Sequence, residues 1–260
     1  MQIENKNIII TGAGDGIGKE FVKILSPKNK LILLGRDIEK LYKLNKELNR
    51  NNYVLKCDIS NEEDINLAYN AINNKFNKID FLFNNAGISS AKQFDQYSAK
   101  EISEILNTNI LGTILITKKF MNNLLQSKGC VVNIGSMFGD IAHPYYSIYS
   151  TSKFAIRGFS DSIRREYAHH GVKVFYAAPR ATQTKALEKT NDIGKFFKMN
   201  IDTPDSIAKH IIKSIKKGRN SIYPKSIEKV FILIQKLFPK IIDNNLENIS
   251  KNIYSKQYKK

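Results

Sequence analysis

The sequence predicts an α/β fold: a doubly wound sheet of seven mainly parallel strands with helices on both faces, followed by a helical appendix. Three features predict it. Short β-branched apolar runs alternate with longer segments of helical period, a glycine-rich turn separates the first run from the first helical segment, and no repeat, low-complexity tract or linker divides the 260 residues. The first strand is the run Ile8-Ile9-Ile10-Thr11, and the glycine turn behind it opens a helix over 16–25. Apolar runs at 30–34, 53–56 and 79–84 supply the next three strands, separated by helical segments at 38–49 and 62–76. A long helix over 100–125 leads to the fifth strand, 130–135, and a second long helix over 150–169 leads to the sixth, 172–177. Thr203-Pro204-Asp205 provides an N-cap and a proline at the first helical position, Gly218 stops that helix, and 221–223 closes the sheet. Residues 1–224 form one domain of ordinary size, and 225–260 an extension that is no domain of its own.

Composition removes several classes. With 42% hydrophobic and 25% charged residues, the chain is neither disordered nor collagen-like. Cys57 and Cys130 cannot build a disulfide framework and no Cys/His cluster has zinc-ligand spacing, so no metal and a reducing, cytoplasmic setting are expected. The amino-terminal residues enter a strand within ten positions, and no export signal is expected. The apolar run at 230–234 is far shorter than the roughly 20 residues a spanning helix needs. The formal charge is +17, and twelve Lys and one Arg against Glu228, Asp243 and Glu247 place +10 of it after residue 208. No basic stripe or reading motif accompanies that charge, so nucleic acid is not an expected partner.

The turn after the first strand reads Thr11-Gly12-Ala13-Gly14-Asp15-Gly16-Ile17-Gly18. Glycines there let backbone approach a pyrophosphate, and the following helix start offers unpaired N–H groups and partial positive charge. The spacing differs from the general G-x-G-x-x-G fingerprint. It resembles instead the T-G-x-x-x-G-x-G of the short-chain dehydrogenase/reductase family, and the resemblance continues over roughly residues 5–224 through Cys57-Asp58-Ile59, Asn84-Asn85-Ala86-Gly87 and Asn107-Thr108-Asn109. It implies a Rossmann-type sheet binding NAD or NADP, with Asp58 and Ile59 at the adenine and Asn85, Ala86 and Gly87 beside the adenosine.

Ser136 follows the fifth strand, and Tyr149 and Lys153 lie four apart on one helix face. A phenol of ordinary pKa about 10 must fall by roughly 3 units, about 4 kcal/mol, to work as a base near neutrality, and Lys153 and the positive charge of an oxidised nicotinamide are the available sources. The resemblance implies hydride transfer between nicotinamide C4 and a carbonyl or alcohol carbon. In that scheme Tyr149 is the general acid/base, Ser136 orients the substrate oxygen, Lys153 lowers the Tyr149 pKa and binds the ribose, and Asn109 belongs to a proton relay. Pro179, Thr182 and Thr184 also reach the cofactor. Gly35-Arg36 replaces the acidic residue that favours NAD, so NADP(H) is expected over NAD(H), with Asp15 in the glycine turn arguing the other way.

Met137, Phe138, His143, Tyr145 and Tyr146 are candidates for the substrate wall, covered by 186–199. Arg180 stands where most relatives carry glycine, and it either draws an anionic substrate or the pyrophosphate or turns to solvent over an altered turn. In the appendix, Ile227, Val230, Phe231, Ile234, Leu237, Phe238 and Ile241 repeat at helical spacing, flanked by Lys225, Lys229, Lys236 and Lys240. That pattern suits packing on the domain, a subunit interface, or an interfacial helix over 225–242 on an anionic membrane. The leading expectation is an NADP-dependent reductase of a hydrophobic, lipid-like small-molecule carbonyl; the alternatives are a 3-oxoacyl thioester reductase of fatty-acid synthesis and a non-catalytic nucleotide-binding regulator. Relatives form homodimers or homotetramers through the two long helices, and the same is expected here.

Overall fold

The computed structural model describes residues 1–188, 190–224 and 227–257, so Lys225 of the flanking lysines lies outside the described residues. Seven strands, β1 (Asn7–Thr11), β2 (Lys30–Gly35), β3 (Tyr53–Lys56), β4 (Phe81–Asn84), β5 (Cys130–Ile134), β6 (Lys173–Ala177) and β7 (Ser221–Ile222), pair in the order β3-β2-β1-β4-β5-β6-β7. Every pairing is parallel. A parallel sheet needs a crossover between neighbours, and those crossovers are the helices α1 (Gly16–Leu25), α2 (Ile38–Glu47), α3 (Glu62–Asn73), α4 (Ala99–Leu106), α5 (Thr113–Ser127) and α6 (Ser147–Glu166). Two single turns, α7 (Lys185–Glu188) and α8 (Asn191–Gly194), precede α9 (Pro204–Lys216), and α10 (Glu228–Leu237) and α11 (Pro239–Gln257) end the chain.

Because both faces are covered, strand residues are apolar in both directions. Ile8 and Ile10 of β1, Leu31 and Leu33 of β2 and Phe81 and Phe83 of β4 join Phe21, Leu44 and Ile211 on the face of α1, α2 and α9. Ile9, Ile32 and Leu82, one residue out of phase, meet Ile65, Ile116, Phe120 and Ile163 on the face of α3, α5 and α6. Helix starts are written locally: Asn61 caps α3, Ser98 and Glu101 form a capping box at α4, and Thr203 with Pro204 begins α9.

Two elements differ from expectation. The helix expected over 100–125 is interrupted by a π-helical stretch, Asn107–Gly112, between α4 and α5. A Cβ at Gly112 would lie 2.3 Å from the Ile59 carbonyl oxygen, so the chain passes there with backbone almost touching the loop after β3. The appendix is a hairpin of two helices that turns at Pro239. Ile253 of α11 is fully buried and Ile249 packs on the same cluster, whereas α10 buries Ile232 and leaves most of its apolar residues exposed. Among the described residues no helix is long and apolar enough to cross a membrane.

Candidate active site

The strand order reverses between β1 and β4, so the loops leaving their carboxyl ends part and open a crevice, the place where such sheets bind ligands. Asn85 stitches its two sides together. Its amide nitrogen donates to the carbonyls of Thr11 and Gly12, both at 3.1 Å, while the Asn85 and Ala86 N–H groups donate to Thr11 Oγ1 at 3.0 Å. Gly12 has φ +62°, and a Cβ there would stand 2.8 Å from Ala86 Cα. Only glycine fits that turn. Gly18 is equally constrained, its would-be Cβ 2.1 Å from the Gly12 carbonyl oxygen. Thr11 and Gly18 therefore brace the loop, while Gly12, Gly14, Asp15, Gly16 and Ile17 line the cavity of about 970 Å³ beside it.

Farther round the same cavity come Arg36, then Asp58 and Ile59, then Ala86 and Gly87, and on the opposite side Pro179, Thr182 and Thr184. The last closes on the glycine turn, since a Cβ on Gly16 would meet Thr184 Cγ2 at 2.9 Å. A glycine cradle that a single Cβ would fill, at the start of α1 and with polar groups converging on it, fits a dinucleotide. Asp15 qualifies that fit: its carboxylate caps α1 by accepting from the Gly16 N–H at 2.8 Å. Arg36 reaches Asp58 at 3.9 Å and is largely exposed, with its guanidinium at the rim. Among the described residues no His, Cys, Asp or Glu cluster suits a metal.

Ser136, Tyr149 and Lys153 line the same cavity. Ser136 sits just beyond β5 and caps the short turn Met137–Gly139 by accepting from the Phe138 N–H at 3.2 Å. One helical turn apart on α6, Tyr149 and Lys153 come together with the Lys153 Nζ 5.5 Å from the Tyr149 ring centroid. The ammonium donates to the Ile134 carbonyl at 3.1 Å and lies against the ring. Burial governs both groups. It pushes the Tyr149 phenol up to about 12, with Ser136 pulling the other way, and pushes Lys153 down to about 8. In the protein alone, burial therefore outweighs the groups that favour the phenolate.

Asn109 occupies the π-helical stretch, a feature frequent at functional sites. Its side chain is nearly inaccessible, accepting from the Ile88 N–H at 2.8 Å and donating to the Ile88 carbonyl at 2.9 Å and to Ser152 Oγ at 3.0 Å. It ties the loop after β4 to α6 and does not line the cavity. Two supports escape sequence reading. Asn84 donates to Thr117 Oγ1 and Asn133 Oδ1, and Asn133 in turn donates to Ser160 Oγ, each at 2.8 Å, a buried polar chain that ties α5 and α6 to the sheet. Tyr176 of β6 lies under Ser136 and donates to its carbonyl at 3.1 Å. A Cβ at Gly135 would be 2.2 Å from the Tyr176 ring, which explains the glycine before Ser136. No local pattern announces such contacts, because each joins segments far apart in the chain.

On the substrate side, Met137, Phe138, His143 and Tyr146 line the cavity, with Leu187, Phe197 and Met199 of the covering segment opposite. Phe138 stacks on His143 at 4.2 Å. Burial lowers His143 to about 4, so it is a neutral wall residue at physiological pH. Tyr145, with φ +66°, packs on the same apolar cluster as Phe138 and Tyr146 and lines a neighbouring groove with Phe94 and Tyr254.

Acidic side chains hold Arg180. Its guanidinium donates to both Asp202 oxygens, at 2.8 and 2.7 Å, and to Glu228 of α10 at 2.8 Å. Two carboxylates engage the charge, so it is neither turned to solvent nor presented to an anionic substrate. It is a clasp joining the loop after β6, the end of the covering segment and the appendix. Arg180→Ala is expected to weaken that junction by about 1–3 kcal/mol. Limited proteolysis would then show new cuts in 183–202 and in α10 with nucleotide affinity unchanged; an unaltered pattern would show that the clasp bears no load.

The fold and these side chains define a dinucleotide-binding oxidoreductase. The short chain dehydrogenase family profile matches residues 6–193. Carbonyl reductase family member 4 of Danio rerio is 30% identical over 198 residues, covering 72% of this chain and 84% of that protein. The putative oxidoreductase SadH of Mycobacterium tuberculosis is 32% identical over 233 residues, covering 83% and 84%. A Burkholderia phymatum short chain dehydrogenase/reductase solved with NAD superposes with a TM-score of 0.85 at 18% identity, covering 93% of this chain and 96% of its own. The chain belongs to the short-chain dehydrogenase/reductase family and is an oxidoreductase.

Proposed function

We propose that this protein is an NADP(H)-dependent reductase of apolar, lipid-like ketones or aldehydes. The carrying observation is the composition of the cavity: one end has the glycine cradle with Arg36 at its rim, and the other is walled by Met137, Phe138, Tyr146, Phe197, Phe231 and Ile249. A bound nicotinamide supplies the hydride, and the chain supplies position, desolvation and the proton. Tyr149 donates that proton to the substrate oxygen from its phenol, which burial keeps protonated. Ser136 holds the same oxygen by a second hydrogen bond, and Tyr176 beneath it fixes the Ser136 backbone. Lys153 binds the ribose hydroxyls and carries positive charge against the Tyr149 ring, while Asn109 keeps α6 and the loop after β4 in register beside the relay that reprotonates Tyr149.

Arg36 supports NADP because a guanidinium pairs with a 2′-phosphate in fork geometry and no acidic side chain stands at Gly35. Arg36→Ala should weaken NADPH binding by about tenfold to a hundredfold and leave NADH unaffected. Titration showing equal affinities for the two nucleotides in the unsubstituted protein would overturn the preference. Carbonyl-dependent NADPH oxidation, screened across fatty aldehydes, quinones, cyclic ketones and 3-oxoacyl thioesters, tests the reaction itself. The 3-oxoacyl thioester reductase reading remains the alternative, with Arg180, one of the basic groups expected to meet its acidic carrier, engaged by Asp202 and Glu228. Assembly through the long helices is part of this proposal, supported by Leu111 and Phe154, which leave apolar side chains exposed there.

A further inference from the structure

The exposed apolar surface of the appendix is the largest feature that the proposed reaction leaves unused. Ile227, Val230, Leu233, Leu237, Phe238 and Ile241 are all more than half exposed. On α10, at 100° per residue, Val230, Leu233 and Leu237 share one arc opposite the buried Ile232, with Ile227 before the helix and Phe238 and Ile241 after it. Lys229 and Lys236 fall at the edge of that arc, beside Leu233, and Lys240 follows the Pro239 corner; all three are exposed. The arc also runs inward, since Ile227, Phe231, Ile234 and Ile241 line the same cavity as Tyr149. Arg180 anchors the start of α10 at that mouth through Glu228.

We propose that α10 and the Pro239 corner dock on an anionic lipid bilayer, with the apolar arc in the headgroup and acyl boundary and the lysines on the lipid charges. Charge complementarity selects this occupant over a second copy of the chain. A two-fold contact through the arc would bring Lys229, Lys236 and Lys240 of both copies together, and like charges facing each other oppose association. An anionic surface instead attracts each lysine. With no spanning helix among the described residues, the contact is peripheral and reversible. It places the apolar mouth of the cavity on the membrane, so that a lipid-soluble carbonyl enters without crossing water. This delivery rests on the proposed reductase reaction, whereas the docking does not.

Sedimentation of the full chain with vesicles of phosphatidylcholine alone, or with about 30% phosphatidylserine, tests it. Binding is expected to the anionic vesicles, at least about tenfold above the neutral ones, and to fall with added salt. The triple change Leu233→Gln, Leu237→Gln, Phe238→Gln, at residues outside the cavity lining, should lower partitioning by at least about tenfold. Its NADPH-dependent turnover of a small water-soluble ketone should stay unchanged, and reduction of a long-chain aldehyde embedded in the vesicles should fall. Protein that stays in the supernatant with anionic vesicles overturns the proposal. So does a triple variant that binds like the parent, or a dimer in sedimentation velocity that the triple change dissolves. Absence of turnover on every carbonyl, with vesicle binding intact, would remove the reductase reading and leave the docking standing.

Discussion

Tyr149→Phe is expected to lower turnover by about a thousandfold while NADPH binding stays within about twofold of the parent. The ring packs edge-on against Phe138, with centroids 5.9 Å apart, and against Tyr146 at 6.5 Å, and phenylalanine preserves both contacts. What is lost is the hydroxyl, the group proposed to give a proton to the substrate oxygen. The pH profile separates this role from a packing role. Carbonyl reduction needs the neutral phenol, which burial maintains up to about 12 in the free protein, so that direction should be flat across neutrality. Alcohol oxidation needs the phenolate, so kcat/KM in that direction should rise by about tenfold per pH unit below the pKa of the phenol in the NADP+ complex and level off above it. Near-normal activity in the phenylalanine variant would remove Tyr149 from the mechanism.

Lys153→Met should abolish turnover and, in the cofactor-free protein, raise stability. Lys153 is only 7% exposed and donates to the Ile134 carbonyl, and burial depresses it from its ordinary 10.5 to about 8. The sign follows from proton counting. As pH falls from 10.5 to 8 the unfolded chain takes up this proton before the folded one does, so stability declines across that window and is level below it. The cost at pH 7 is about 3 kcal/mol. Methionine, similar in length and uncharged, removes most of it, and melting should shift upward by about 3–9 °C with the slope between pH 8 and 10.5 reduced. A variant less stable than the parent at pH 7 would show that the ammonium contributes more to the fold through Ile134 than its burial costs. Under the proposed reaction, ribose binding and the Tyr149 environment are what the buried charge serves.

How much of this was legible beforehand depends on how far apart the interacting residues lie. Strand and helix periods are short-range, so every strand appears in the sequence within a few residues of its place, and Thr203-Pro204 marks the start of α9 without reference to anything else. Ser136, Tyr149 and Lys153 were readable because two of them share a helix turn and the third ends a strand. Tyr176, Asn133 and the Asn84 chain were not, since their partners are strands and helices dozens of positions away. The positive φ of Tyr145 is a backbone feature that no side-chain pattern reports.

The sequence by itself determined the α/β class, the glycine cradle, the candidate trio Ser136, Tyr149 and Lys153 and the apolar, basic character of the appendix, because each is a matter of residue type at short spacing. Only the tertiary structure decided where charge and surface stand relative to that site. Burial raises Tyr149 and depresses Lys153, Asp202 and Glu228 turn Arg180 from an anion lure into a clasp, and the packing of α11 leaves α10 with its apolar arc outward. Desolvation and ion pairing depend on what the rest of the chain brings into contact, and a local run of residues does not contain that information.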